Sequence, residues 1–417
     1  MPPVVKAVPG HLSTGTSELL HDTKVSHMRI LHAYNIHRGF GGSDTTTAAS
    51  IKVLRDHGVE VEEFVRDSRD LPANLAGKLA AFGGSLYAGG AVREFAEVLH
   101  HRRPDIVHVH ELYPLISPWI LPCCKRAGIP VVMSCNDFRL SCPIATHYTR
   151  GEACYRCMDG REHMCVVRNC RDNLAESAAY ALRNASARRF GLYDRNVDRF
   201  VAISDFQRDF MVEKQGIEPA RVAVNYCAIS LPPHSVADPA LGTYVGFAGR
   251  FVPEKGVEVM VQACRLAGLP MRFAGNAPDH PAVAPEDNAS FVLTRSAAEL
   301  ADFYRGARVI VVPSIWSETF GIVAAEAMSH GVPVVASRLG ALQGTVRDGE
   351  AGLLAEPGNV ADFAAKIGRI WHDPELARKL GRNARLQVEA VFSHQAHFDR
   401  LVGIYRAAMA QAEAKRR

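Results

Sequence analysis

Pro313-Ser-Ile-Trp-Ser-Glu-Thr-Phe-Gly-Ile-Val-Ala-Ala-Glu-Ala-Met-Ser-His-Gly-Val-Pro-Val-Val335 is the most informative stretch of the chain. It follows a buried-strand run, Val309-Ile-Val-Val312, and its pattern opens a helix near Phe320. A helix that starts at a strand's end offers free backbone N–H groups, which make an anion site. Gly321 lets a phosphate or a sugar come close to that backbone. Glu318 lies just ahead of the helix and Glu326 inside it. Carboxylates there suit sugar hydroxyls; the plainer alternative is a helix cap at Glu318 and a solvated Glu326.

Outward from this stretch, short β-branched runs alternate with helical segments, which predicts parallel α/β sheets. In the second half the strand candidates are Tyr244–Ala248, Met271–Ala274, Ser290–Leu293, Val309–Val312 and Val332–Ala336. In the first half they are Met28–Tyr34, Val59–Val65, Asp105–His110, Pro130–Ser134 and Arg199–Ile203. A helix is expected over Thr45–His57, helical segments broken at Gly83-Gly84 and Gly89-Gly90 over 70–103, and a long helix from Asp172 to Arg195. A Pro-rich break at 230–242 reads as a linker. The expected plan is a mobile extension over 1–27, a first domain over 28–229, a second over 243–392, and a helix over 393–417. Both domains are Rossmann-like and doubly wound, and they face each other across a cleft that takes ligands at the strands' carboxyl ends.

The 417 residues are 47% hydrophobic and 22% charged, which is ordinary globular composition. Net charge is +4, too small an excess to indicate nucleic-acid binding. No window of 18 apolar residues occurs, and 1–27 lacks a signal-peptide core, so a cytoplasmic protein is expected. The basic segment Leu182–Arg195 could give a peripheral contact with anionic lipid, although a solvated helix face is the simpler reading.

Glu318 and Glu326 resemble the Glu-x7-Glu motif of retaining glycosyltransferases of family 4, which have the GT-B fold. Pro313-Ser314, Phe320-Gly321 and Gly331–Val335 match as well. Ala202-Ile-Ser-Asp-Phe206, Asn225, Gly249-Arg-Phe-Val-Pro-Glu-Lys-Gly256 and Asp348-Gly349 follow the same order. The resemblance implies a nucleoside diphosphate sugar donor of UDP or GDP type and a glycan, lipid-linked or small-molecule acceptor. It implies that Arg250 and Lys255 hold the diphosphate, Glu326 the ribose, and Glu318 the transferred sugar. Phe320, Gly321 and Ile322 would offer backbone amides, and Gly41 and Gly42 would close over the diphosphate from the first domain. No Asp-x-Asp occurs, which argues against the metal-dependent GT-A type, so no catalytic cofactor is expected. Three positions depart from the family pattern. Asn136 stands where a His is common, Asp44 follows Gly41-Gly42-Ser43, and Gly344 takes a usually acidic place.

Cys142, Cys154, Cys157, Cys165 and Cys170 form an insert over 142–170, with a Cys-x2-Cys at its centre. Four of the five could hold a structural zinc; the alternative is a loop of free thiols. His108 and His110 share one strand face and read as packed histidines. Two other readings stay open. Gly39-Phe-Gly41 with Glu62 and Glu63 imitates part of a nicotinamide-binding fingerprint, but Asp44 replaces its third glycine. A non-catalytic nucleotide-sugar binder, or a GT-B epimerase or phosphorylase, would share the fold.

Overall fold

The computed structural model describes residues 28–38, 42–232, 236–275, 277, 279–294 and 296–417. The 1–27 extension and Gly41 lie outside the described residues. Six parallel strands form the first sheet: β1 (Arg29–Ile36), β2 (Glu60–Asp67), β3 (Ile106–Val109), β4 (Val131–Cys135), β5 (Arg199–Ala202) and β6 (Val222–Val224). Their order is β2-β1-β3-β4-β5-β6. The second sheet has β7 (Tyr244–Ala248), β8 (Met271–Gly275), β9 (Ala289–Leu293), β10 (Ala307–Val312), β11 (Val334–Ser337) and β12 (Gly352–Ala355). Its order is β9-β8-β7-β10-β11-β12, again all parallel. The strand order reverses between β1 and β3 and between β7 and β10, and crevices open at such points.

Each sheet is buried on both faces, which is why its strands read as near-continuous apolar runs. Val107, Val109, Val131 and Met133 pack against Phe95 and Leu121 in the first domain. Val245, Phe247, Val309 and Val311 pack against Val257, Val261 and Phe363 in the second. The helix Ile322–Ser329 has Ala324, Ala325, Ala327 and Met328 buried, so it is apolar around most of its girth.

Several elements differ from the sequence expectation. The first helix begins at Gly42 and ends at Asp56, three residues earlier than expected at its start. Helix Leu75–Leu86 runs through Gly83-Gly84 instead of breaking there. A Cβ at Gly84 would lie 2.7 Å from the Pro114 carbonyl oxygen, so the glycine serves a close backbone approach. The long helix spans Leu174–Arg189 only, and turns carry the chain onward, so Leu182–Arg195 is not one basic helix face.

The expected C-terminal helix is present as His394–Arg416. Helix Pro374–Gln387 passes into a π turn, Val388–Phe392, and Ser393 then caps a new helix, His394–Arg416. The Ser393 hydroxyl oxygen accepts from the Ala396 N–H at 3.3 Å. Leu401, Val402, Tyr405 and Ala408 of this last helix pack on Met28, Ile30, Ile106 and Val132 of the first domain. Phe392 just before it lies in the second domain's core with Ile229. The Ile229 N–H donates to the Phe392 carbonyl at 2.8 Å, so the two domain crossings lie side by side.

Candidate functional site

The turn after β7 carries Gly249 and Arg250, then a 3-10 turn, Pro253–Lys255, and then Gly256 at φ +68°. A Cβ on Gly256 would stand 2.0 Å from the Pro313 carbonyl oxygen. Only glycine lets the β7 turn lie against the segment after β10, and this brings Lys255 to Glu318. Glu318 Oε1 accepts from Lys255 Nζ at 2.6 Å, from Ser314 Oγ at 2.7 Å and from Trp316 Nε1 at 3.2 Å. Burial pushes the Glu318 carboxyl up, but the Lys255 charge and these three donors together hold it below the ordinary carboxylate range. All three bonds fall on Oε1, which leaves Oε2 for a ligand hydroxyl. The Arg250 residue is exposed, and among the described residues its side chain makes no hydrogen bond or ion pair.

Gly321 has φ +88°, and a Cβ there would lie 2.5 Å from Leu342 Cδ2, so no other residue fits easily at this helix start. Gly42, at the start of the Gly42–Asp56 helix, would meet Ile322 Cδ1 at 3.2 Å if it carried a Cβ. Two helix N-termini, one from each domain, therefore converge. Their orphan N–H groups and dipoles favour one anion between them.

Between the domains lies a cavity of about 620 Å³. Gly42, Asn136, Arg250, Lys255, Glu318, Phe320, Gly321 and Ile322 all line it. Thr319 crosses the cleft, its hydroxyl donating to the Asn136 carbonyl at 3.0 Å. Asn136 Nδ2 is buried with no partner, an unused donor beside the cavity. Glu326 does not line the cavity. It sits one turn deeper on the helix, where its Oε2 accepts from the Tyr304 hydroxyl at 2.8 Å. Burial raises its carboxyl, and the Tyr304 bond works against that rise.

Four contributors escaped the sequence reading. Trp316 and Thr319 stand inside the quoted stretch, so their neighbourhood was the only signal. Arg139 follows Asn136-Asp137 and is paired with Asp137 at 2.6 Å and with Glu111. Tyr304 lies 22 residues before Glu326 with no motif joining them.

Among the described residues, the one His, Cys or carboxylate group with three ligand atoms within 4.8 Å of one another is His32, His108 and His110. These rings are occupied as a hydrogen-bonded core cluster. His32 Nδ1 meets His110 Nε2 at 2.9 Å, and His108 meets Tyr405 Oη at 2.7 Å and Ser134 Oγ at 2.9 Å. Burial drives all three well below the usual histidine range and keeps them neutral.

The five insert cysteines are unbridged, with Cys142, Cys157 and Cys165 buried. Their thiols neighbour one another: Cys142, Cys170 and Cys154 all press the Cys157 thiol upward after burial, and Cys170 does the same to Cys165. Burial also raises Cys142, while backbone N–H groups of residues 144–147 oppose that rise.

Residues 40–231 match the family model "Glycosyltransferase Family 4", and residues 239–387 match "Glycosyl transferases group 1". The chain is 31% identical over 224 residues to a D-inositol 3-phosphate glycosyltransferase of Streptomyces bingchenggensis, covering 46% of this chain and 49% of that one. It is 26% identical over 431 residues to the protein of that name from Thermomonospora curvata, covering 88% and 90%. The matched part spans about half the length of most of these curated relatives. Sucrose-phosphate synthase of Thermosynechococcus elongatus superposes with a TM-score of 0.66 at 20% identity, covering 92% of this chain and 100% of that one. HepE of Anabaena, solved with UDP and glucose, gives 0.60 at 19% identity, covering 90% and 99%. With two six-stranded parallel sheets across a cleft and both family models matched in order, the chain belongs to the family-4 type glycosyltransferases of GT-B fold.

Proposed function

We propose that the protein transfers a sugar, with retention, from a nucleoside diphosphate sugar to a hydroxyl acceptor, without a catalytic metal. The observation that carries this reading is the ionised Glu318 in one cavity with Lys255, Arg250 and two converging helix N-termini. Arg250, Lys255 and the amides of Phe320, Gly321 and Ile322 meet the donor's diphosphate. Their attraction grows as the bond from the sugar to the phosphate oxygen breaks, and that is the charge an enzyme must stabilise. Glu318 Oε2 accepts from a sugar hydroxyl, and Asn136 Nδ2 donates to the same sugar. The acceptor oxygen bonds to the anomeric carbon on the face the diphosphate leaves, and its proton passes to a leaving phosphate oxygen. Glu326 serves the ribose. UDP bound in the HepE complexes supports a uridine donor. Four of the five insert cysteines would hold a structural zinc on the acceptor side by drawing closer together, since among the described residues no three of their thiols form a ligand group as placed.

A thermal-shift screen against nucleoside diphosphate sugars tests the donor, because a bound ligand stabilises the native state by mass action. NMR of the first product then gives its anomeric configuration. Inversion, or no stabilisation by any nucleotide sugar, defeats the reading.

A further inference from the structure

Two neighbouring helices of the first domain face the wrong way round. Helix Leu75–Leu86 buries Gly77 and Ser85, and helix Leu174–Arg189 buries Ser177, Ala181, Arg183, Asn184 and Ala187. Their leucines point outward: Leu75, Leu79, Leu174 and Leu182 are each between 52% and 71% exposed. A surface helix ordinarily turns its leucines to the core and its polar residues to water. A Cβ at Gly77 would stand 1.9 Å from the Pro72 carbonyl oxygen, so no leucine fits that inward position. The inner sides of both helices also line a cavity of about 720 Å³. That cavity accounts for the polar residues inside but not for the leucines outside.

The outward residues form two stripes. Leu75, Leu79 and Tyr87 fall at multiples of four, as do Leu174, Ala178, Leu182 and Phe190. That spacing keeps side chains on one side of a helix. The stripes run side by side. At their N-terminal ends Lys78 bonds to Glu176 at 2.9 Å. At their C-terminal ends the Tyr87 and Phe190 rings lie 5.8 and 5.2 Å from the same Trp119 ring. Of the 13 exposed large apolar side chains among the described residues, six belong to these two helices and their C-caps. This is a patch, not the scatter of single apolar residues that any surface carries. The same helices carry Lys78, Arg183, Arg188 and Arg189 against one acid, Glu176. Arg189 is exposed and makes no ion pair among the described residues.

We propose that this face docks on the surface of a lipid bilayer that carries anionic headgroups. The leucines enter the boundary of the acyl chains, and Tyr87, Trp119 and Phe190 sit at headgroup level. Lys78 and Arg189 extend from the same helices to the headgroup phosphates. The charge favours a membrane over a second copy of this chain, because a two-fold contact would press these cations against their own copies. Among the described residues no helix is long and apolar enough to cross a membrane, so the face lies on the bilayer. Docking holds the cavity behind the two helices at the interface. Arg139 and Arg250 line both that cavity and the donor cavity, so the donor cleft is held there too. The assignment does not rest on the donor reading, because none of the proposed donor-binding residues belongs to this face.

The test mixes the full chain with phosphatidylcholine vesicles, with and without phosphatidylglycerol, and measures co-sedimentation. Binding is expected on the mixed vesicles, weaker on phosphatidylcholine alone and weaker at high salt. Leu79→Gln with Leu182→Gln should reduce partitioning about tenfold or more. The melting temperature should not fall, since both side chains already face water. Should that double variant fold poorly, Leu75→Gln with Leu174→Gln repeats the measurement. Lys78→Gln with Arg189→Gln should weaken binding about tenfold or more on the mixed vesicles and little on the neutral ones. Absence of vesicle binding, or binding that both kinds of variant leave intact, overturns the assignment. So does a dimer in light scattering that Leu79→Gln with Leu182→Gln dissolves while vesicles stay unbound, which gives the face to a second copy.

Discussion

Lys255 Nζ and Glu318 Oε1 lie 2.6 Å apart across the two turns that follow β7 and β10. In the proposed reading, the pair joins the diphosphate end of the cleft to its sugar end. Lys255→Ala removes a cation from the leaving group and leaves Glu318 buried with only Ser314 and Trp316 as donors. Turnover at saturating donor should fall about 100- to 1000-fold, and stability by about 1–3 kcal/mol. Arg250 is exposed and unpaired, so Arg250→Ala should lower kcat with no change in melting temperature. Glu318→Gln should lower turnover while UDP still binds, because its partner is the sugar. Near-normal kcat in both cation variants would show that the cleft does not work on a diphosphate.

Glu326→Ala should weaken UDP and UDP-sugar binding alike and leave kcat nearly unchanged, since ribose hydroxyls change little during transfer. Burial raises this carboxyl, so the ionised acceptor is lost as pH falls through that raised value. UDP affinity should therefore weaken on mild acidification, and more so in Tyr304→Phe, which removes the one bond that opposes the rise. A pH-independent affinity in both proteins counts against the ribose role. So does binding that survives Glu326→Ala and vanishes in Glu318→Gln.

The donor half was legible because its signals are local. A strand, a glycine at φ +88° and a helix start fall within a dozen residues, and the two glutamates are carried on them. What the sequence hid depends on distant contacts. Gly84 looked like a helix break, yet it is a contact surface for Pro114. Tyr304 reaches Glu326 only once its helix, Ala297–Gly306, docks beside Ile322–Ser329. The π turn at Val388–Phe392 has no residue pattern of its own; it lets Phe392 enter one domain while Tyr405 enters the other. His32 sits on β1, far in sequence from His108 and His110, so their cluster appears only when β1 pairs with β3.

Four buried histidines make the first domain acid-sensitive. Burial, then neighbouring charges, lowers His110 to about 3 and His397 to about 4 from 6.5, and lowers His32 and His108 as well. Their folded values lie below the unfolded one. The stability they contribute is thus fully present above pH 6.5 and is lost as pH falls towards the folded values. Each should remove about 1.4 kcal/mol per pH unit in that window. Denaturant unfolding at successive pH values from neutral to weakly acid should show the steep fall, and His397→Gln should flatten it by one proton. A slope unchanged by that substitution sinks the assignment.

The insert cysteines predict bound metal. Freshly reduced protein should carry about one equivalent of zinc by elemental analysis, held by four of Cys142, Cys154, Cys157, Cys165 and Cys170. A strong chelator should lower the first domain's melting temperature and leave UDP binding in place, because Arg250, Lys255 and Glu318 lie on the other domain. Metal-free protein with unchanged stability would leave the cluster as buried thiols.

The last helix should decide whether the two domains act together. Tyr405 is fully buried, and its hydroxyl lies 2.7 Å from His108 Nδ1 in the first sheet. His397 reaches Ser50 Oγ at 3.0 Å and the Tyr226 carbonyl at 2.8 Å, on both sides of the crossing. Leu401, Val402 and Ile404 cover Met28, Leu54 and Val59, apolar surface that water would otherwise meet. Deleting residues 394–417 should expose that surface and give insoluble or inactive protein. Single changes separate packing from hydrogen bonding. Leu401→Ala should cost about 2–5 kcal/mol, and Tyr405→Phe about 1–3 kcal/mol, because it leaves buried His108 Nδ1 without a partner. Urea unfolding measures both, and transfer assays on the folded variants show whether the cleft still works. A truncated chain with full solubility and full turnover would mean that the helix neither completes the first core nor couples the domains.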